Sequence, residues 1–183
     1  TNVEIVHMTS LGPATHTKPE MAKSFRHNGL FIAPSTRKAV NEKRADFTPC
    51  SYSDIPRLFR DKILPIDVFL MQVTPPDKEG YCSFGLSVDY AKAASQCSGI
   101  VIAQMNKNVP WTEGEKIHLD EFTYIVEKDD PVFELTPPII DEVEREIAIN
   151  VASLIPDGAT LQLGIGAIPD TVLSFLGSRK DLG

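Results

Sequence analysis

The segment Leu161-Gln162-Leu163-Gly164-Ile165-Gly166-Ala167-Ile168-Pro169-Asp170 carries the clearest chemical potential in the chain. Two glycines at the carboxyl end of a strand allow a tight turn and bring backbone amides close to a ligand. The helix expected after them offers unpaired N–H groups and a positive dipole end, so the turn can hold a phosphate, a pyrophosphate or a developing oxyanion. A dinucleotide-binding fingerprint needs a third glycine where Pro169 stands, and it normally opens its domain, which argues against that reading. A bare G-x-G turn serves strand-to-helix geometry about as often as it serves a ligand, so this motif alone does not settle a function.

A second dense segment runs from Pro75 through Asp77, Gly80, Tyr81, Cys82, Ser83 and Phe84 to Gly85, after a strand expected at Val68–Val73. In open α/β sheets ligands gather at the carboxyl ends of strands, which makes this loop a site candidate. The alternative is a rigid loop whose Tyr81 and Phe84 pack on the sheet. Cys82 has no base placed near it by sequence, and a buried cysteine is usually inert. His7, His16, His27 and His118 share no helical face and no H-x-x-x-H spacing, which argues against a metal site and leaves them structural or hydrogen-bonded roles. Of the four, His118 is a candidate for lining a substrate cleft.

These residues need a scaffold, and the chain supplies the pattern of one. Short runs rich in Val, Ile and Phe alternate with segments of helical period, the signature of an α/β protein with an open, mostly parallel sheet flanked by helices. Strands are expected at Val3–Met8, Leu30–Ala33, Asp46–Thr48, Val68–Val73, Ile100–Met105, Tyr124–Val126 and Thr160–Leu163, and helices at Glu20–His27, Thr36–Glu42, Ile55–Arg60 and Val88–Cys97. Ile139, Val143, Ile147, Val151 and Ile155 recur every fourth position among acidic residues, which predicts an amphipathic helix with that stripe buried. Pro137 and Pro138 precede it, where missing amide donors cost little. The division that follows is a first domain over 1–130, a proline-rich linker over 131–138, and a second domain opening over 139–183 with one βα unit, its helix running from about Ile168 to Leu176.

The 183 residues carry 18 Lys+Arg against 25 Asp+Glu, a net charge of -7 with the bases interspersed, which argues against a nucleic-acid partner. Cys50, Cys82 and Cys97 show no C-x-x-C spacing, so neither a disulfide framework nor zinc is suggested and a reducing cytoplasm is the simplest setting. No apolar run approaches the roughly 18 residues of a spanning helix, and no secretory signal is visible at the start. Because Val3 onward already reads as a strand, the chain is expected to be part of a longer protein that lacks its first strands here.

The stretches Phe25-Arg26-His27-Asn28, Ala45-Asp46-Phe47-Thr48-Pro49, Pro75 to Gly85, Asn106-Lys107-Asn108-Val109-Pro110 and Gly158 to Asp170 occur in the order found in the acetyl-CoA hydrolase/transferase family. Across essentially its whole length the chain resembles that family, most of all its 4-hydroxybutyrate and butyrate CoA-transferases. The resemblance implies two similar CoA-transferase domains, a homo-oligomer (dimer or tetramer), acyl-CoA and a short-chain carboxylate as substrates, and no tightly bound cofactor or metal. It further implies that Gly164, Ile165, Gly166, Ala167 and Ile168 contribute to binding CoA against its thioester, with Gln162 facing the same cleft. The family's nucleophilic glutamate falls beyond Gly183, so no catalytic residue is expected within 1–183, and Glu142, Glu144 and Glu146 read as a solvated helix face. On this resemblance the whole protein is a CoA-transferase, with acetyl-CoA hydrolysis as an alternative, and this chain alone a non-catalytic CoA-binding piece. Trp111 departs from the basic residue expected after Pro110, in a loop that resembles the acyl-side wall, or else it caps that loop against the core.

Overall fold

The computed structural model describes every residue except 1, 2, 10, 135, 137 and 138, so the expected proline entry at Pro137-Pro138 lies outside the described residues. The chain divides into two compact units, Thr1–Phe133 and Glu134–Gly183. The first is a mixed α/β body in which parallel pairing dominates, as the alternation of apolar runs and helical segments predicts. Strands β1 (Val3–His7), β2 (Phe25–Gly29) and β3 (Ala45–Phe47) form one parallel sheet in that order. Strands β4 (Val68–Val73), β6 (Ile100–Met105) and β8 (Tyr124–Glu127) form a second, ordered β4-β6-β8, while β5 (Tyr81–Ser83) and β7 (Lys116–His118) make an antiparallel pair. Helices α1 (Pro34–Asn41), α2 (Ile55–Arg60) and α3 (Ala91–Cys97) complete the unit.

Two expectations near the start are corrected. Glu20–His27 is no helix: after a short 3-10 turn at Pro19–Met21 the chain enters β2, and Leu30–Ala33, expected as a strand, is the turn that leads to Pro34 at the head of α1. The polar residues of β2 hid it, because they are satisfied by partners distant in sequence. Asn28, 6 % exposed, donates to Glu4 Oε1 at 2.8 Å and accepts from Thr48 Oγ1 at 2.8 Å, so each strand of the sheet or its flank supplies one bond. Buried polar groups persist where they are paired in this way. The register Val3↔Phe25 through His7↔Gly29 then sets the two strands side by side.

Helix α3 begins three residues later than Val88, after Tyr90, whose hydroxyl accepts the Met8 N–H at 3.4 Å. Its Ala94 packs with Leu30, Ile55 and Phe59 in one buried cluster. A second cluster gathers Val73 of β4, Cys82 of β5, Ala103 and Met105 of β6, Ile117 of β7 and Phe84. The antiparallel pair β5–β7, too short to show in the sequence pattern, thus adds to the core beside β4 and β6.

In the second unit helix α4 (Glu142–Ser153) starts after Ile139 and Ile140 because Asp141 caps it. The Asp141 carboxylate accepts the Glu144 N–H at 2.7 Å, and the Glu144 carboxylate accepts the Asp141 N–H at 3.1 Å, a reciprocal box that fixes the first turn. The buried stripe expected on this helix is overturned: Val143 is 67 % exposed and Ile139, outside the helix, 97 %. The buried positions are Ala148 and Ala152, whose small side chains pack with Val172 and Leu176 on and after α5 (Ala167–Ser174). Thr160–Leu163, expected as a strand, pairs in no sheet among the described residues; instead the Leu161 N–H reaches Gly183 O at 2.7 Å and the Gly183 N–H reaches Ala159 O at 3.1 Å.

Phe84, 1 % exposed, joins the cluster of β4, β5, β6 and β7. Phe84→Ala is expected to destabilise the first unit by about 3–5 kcal/mol, through lost burial and the cavity left behind, as read by denaturant unfolding. Leu86→Ala, two residues on and 66 % exposed, serves as the control and is expected to change stability by no more than about 0.5 kcal/mol.

Candidate functional site

The turn singled out in the sequence sits at the head of α5. Gly166 occupies the N-cap position at φ +148° and ψ 174°, a backbone conformation that L side chains rarely adopt, so glycine is required there for geometry. Gly164 meets a different condition: a Cβ built on it would find nothing within 4 Å. Ile165 between them is fully exposed, and Ile168 is 39 % exposed. In the first turn of α5 the Asp170 N–H bonds back to Gly166 O at 3.2 Å, while Pro169 has no N–H to offer. The first-turn donors that helix geometry leaves without intrahelical acceptors are therefore those of Ala167 and Ile168. Gln162 turns its amide onto its own neighbour, donating Nε2–H to Leu163 O at 2.9 Å. The five positions 164 to 168 thus form a single open backbone corner.

The segment Pro75–Gly85 is built quite differently. The Asp77 carboxylate accepts the N–H groups of Tyr81 and Glu79, both at 2.9 Å, closing a turn that Gly80 completes at φ +87°. Those bonds, that from Tyr81 foremost, hold the Asp77 carboxyl below its usual range. A Cβ on Gly80 would lie 2.6 Å from His118 Nε2, so the turn and the imidazole are fitted to one another.

His118 Nε2 lies 3.2 Å from Glu79 O, and its Nδ1 accepts the Asp120 N–H at 3.3 Å. A carbonyl oxygen can only accept, so the neutral ring carries its proton on Nε2. Both nitrogens are engaged, and the Tyr81 ring meets the imidazole edge-on at 5.0 Å. His118 therefore acts as a brace between β5 and β7. The rigid-loop alternative is realised in part, with Phe84 buried, whereas Tyr81 is 40 % exposed and leans on His118 in place of the sheet.

Burial pushes the Cys82 thiol up to about 11, with the nearby Asp77 charge adding to it, and this keeps it protonated at neutral pH and unsuited to nucleophilic attack. Trp111 is 40 % exposed and carries the Lys116 ammonium 4.9 Å from its ring centroid. Lys116 also lines an open depression of about 560 Å³ with Glu79, Tyr81, Gly114 and Glu115. The indole face is thus occupied by a neighbouring cation from β7. Of the helix acids, Glu144 serves the cap of α4 while Glu142 and Glu146 are exposed.

One association was not legible in the sequence. His16, in a 3-10 turn at Thr15–Thr17, places its Nε2 3.0 Å from Nδ1 of His27 in β2, and the rings lie 5.1 Å apart. Burial, followed by the proximity of His16 and His7, pushes His27 down to about 4, so it is neutral at physiological pH. No spacing rule finds this pair, because the two lie 11 positions apart across an irregular connection with the turn Pro19–Met21, and the rings meet only when the first turn folds back on β2. Among the described residues no group of three or more His, Cys, Asp or Glu is placed to hold a metal, and no helix is long and apolar enough to cross a membrane.

Gly166→Ala is expected to cost about 1–3 kcal/mol, because a side chain is forced into a conformation nearly reserved for glycine. Gly164→Ala, with open space around its Cβ, is expected to leave the second unit's stability close to that of the parent. Thermal unfolding of the two variants side by side checks the contrast.

The acetyl-CoA hydrolase/transferase N-terminal domain family matches residues 1–137. The chain is 55 % identical over 182 residues to the 4-hydroxybutyrate coenzyme A transferase of Clostridium kluyveri, covering 99 % of this chain and 42 % of that protein. It is 44 % identical to the succinyl-CoA:acetate/propanoyl-CoA:succinate CoA transferase of Fasciola hepatica, covering 100 % of this chain and 38 % of that one. Among solved structures, RipA from Yersinia pestis superposes with a TM-score of 0.89 at 29 % identity, over 100 % of this chain and 44 % of its own. The 4-hydroxybutyrate CoA-transferase of Porphyromonas gingivalis superposes with a TM-score of 0.74 at 37 % identity, over 98 % of this chain and 48 % of its own. The chain spans about two fifths of the length of the curated relatives it matches. Its fold, the match over 1–137 and the shared sequence place the chain in the acetyl-CoA hydrolase/transferase family.

Proposed function

We propose that the protein to which this chain belongs transfers CoA between an acyl-CoA such as acetyl-CoA and a short-chain carboxylate such as 4-hydroxybutyrate or butyrate. The observation that carries this reading is the 55 % identity, sustained over 182 residues, to a 4-hydroxybutyrate CoA transferase. The exposed corner at Gly164–Ile168 supports it physically. Its Ala167 and Ile168 N–H groups and the amino end of α5 suit the carbonyl oxygen of a thioester as negative charge develops there. On this reading Gly164, Ile165, Gly166, Ala167 and Ile168 cradle CoA, and Gln162 joins them by exchanging its bond to Leu163 O for one to the ligand.

The reaction follows from the acyl chemistry. A glutamate carboxylate, which we place beyond Gly183, attacks the thioester carbonyl, and CoA thiolate leaves to give a mixed anhydride. The thiolate then attacks the glutamyl carbonyl, releasing the first carboxylate and leaving a glutamyl-CoA thioester. An incoming carboxylate attacks that thioester to regenerate an anhydride, and the returning thiolate attacks the acyl carbonyl, which releases the new acyl-CoA and restores the glutamate. Each bond broken is matched by one formed, so the thioester's free energy is conserved and no further cofactor is consumed. The same reading makes the assembly a cytoplasmic homo-oligomer, with residues 1–183 alone binding CoA without turnover.

The test combines two measurements. The full-length protein, given acetyl-CoA with butyrate or 4-hydroxybutyrate, is expected to form the corresponding new acyl-CoA. Residues 1–183, titrated with CoA by calorimetry, are expected to bind without releasing thiol from acetyl-CoA. Absence of exchange with any short-chain acid, or thiol release by the full protein at one rate with and without an acceptor acid, would overturn the transferase reading. Turnover by residues 1–183 alone would overturn the placement of the nucleophile.

A further inference from the structure

The connection from β1 to β2 packs its first 3-10 turn against β2, and it is fastened at two points. Its turn at Thr15–Thr17 follows Ala14, which takes a left-handed φ of +45° uncommon for a residue with a side chain. The Thr17 hydroxyl donates to Ala14 O at 2.8 Å, and the Arg44 guanidinium donates to Thr17 O. The other fastening is the contact between His16 Nε2 and His27 Nδ1 at 3.0 Å.

We propose that the His16–His27 hydrogen bond is a proton-sensitive latch, which holds the Ala14–Thr17 strap against β2 at neutral pH and releases it in acid. Two neutral imidazoles can share one proton, with one nitrogen donating and the other accepting. A single added proton is tolerated, because a charged His16 still donates to a neutral His27. A second proton sets N–H against N–H at 3.0 Å and places two cations together. The surrounding groups sharpen this response. His7, the last residue of β1, acts on His27 and is itself acted on by His16, a third potential cation, and Asp89, from the loop before α3, offsets charge at His7. No carboxylate acts on His27 itself, and that residue is only 2 % exposed, so water cannot easily compensate the added charge.

The sign is set by His27, whose level in the closed strap, about 4, lies below the ordinary 6.5. The open form takes up the proton more readily, so closure is complete above pH 6.5 and weakens as pH falls towards 4. With one proton linked, the closing equilibrium drops about tenfold per pH unit across that window.

Hydrogen exchange, corrected for its intrinsic pH dependence, reads this directly. In the full chain the Thr17 and Lys18 amides, bonded to Ala14 O and Thr15 O, are expected to lose protection about tenfold per unit below pH 6.5 while the β6 amides hold theirs. His27→Asn keeps a side-chain oxygen near the place of Nδ1 that cannot be protonated in this range, and it is expected to flatten the response with the strap closed. His16→Ala is expected to leave the strap open and equally exchanging at neutral and acid pH. Level strap protection down to pH 4.5, loss in parallel with β6, or a parental slope in either variant would overturn the proposal. Should His27→Asn fail to fold, the parent and His16→Ala decide the question.

Discussion

The buried hydroxyl of Ser83 is the joint on which the loops above β4 and β6 depend. Its Oγ accepts the N–H groups of Gly85 and Thr112, each at 3.1 Å, which fills both lone pairs. Its one proton is left for Thr112, whose own hydroxyl donates onward to Gly85 O at 2.9 Å. The Ser83 backbone is equally committed, with N–H to Thr74 Oγ1 at 2.9 Å and its carbonyl to the Thr74 N–H at 3.1 Å. With the residue fully buried, an unmet donor or acceptor here would cost about 1–3 kcal/mol, so the three loop segments move together or not at all. Asn106 does the same for β6 and β8, donating to Asp130 O at 2.7 Å and accepting the Asn108 N–H at 2.9 Å. A scaffold of strand ends stitched by buried polar side chains is rigid where an apolar one would slide.

The second unit rests on a different principle. Its two helices meet through Ala148 and Ala152, residues that contribute little area but permit close approach, while the larger Val143, Ile147 and Val151 remain exposed. The Gly164–Ile168 corner belongs to this smaller body, and its precision derives from the cap of α5 and the backbone bonds near Gly158 and Gly183. The loops of the first unit owe theirs to a densely bonded core.

What could be read from the sequence followed one physical rule. Where apolar side chains decide the structure locally, the reading held: β4 and β6 run over the expected residues, as does α2 at Ile55–Arg60, and the mixed α/β architecture and family membership follow. Where polar residues at long range decide it, the reading failed. β2 looked like part of a helix because Arg26, His27 and Asn28 give no alternation, and their partners Asp46, His16, Glu4 and Thr48 become visible only when the sheet is assembled. The α4 stripe failed for another reason, since fourfold periodicity marks an apolar face without saying whether anything in the same body covers it. The Gly164–Ile168 corner was legible as a glycine turn before a helix, because glycine and proline act on their own backbone. The Gln162 bond to its neighbour and the Lys116 ammonium over Trp111 depend on rotamers and could not be read.

Gly85 shows how such stitching constrains the history of a chain. It sits at φ +63°, and a methyl group added there would lie 2.2 Å from Val109 Cγ1, on the loop that follows β6. Shrinking Val109 would relieve the collision and leave the dihedral penalty, while changing Gly85 first would incur both at once. No single replacement at position 85 is therefore neutral, and the accessible route is ordered, beginning with position 109. Two loops 24 positions apart in the chain are thereby bound to one another as heritable units, and descendants can vary freely around this contact far sooner than through it.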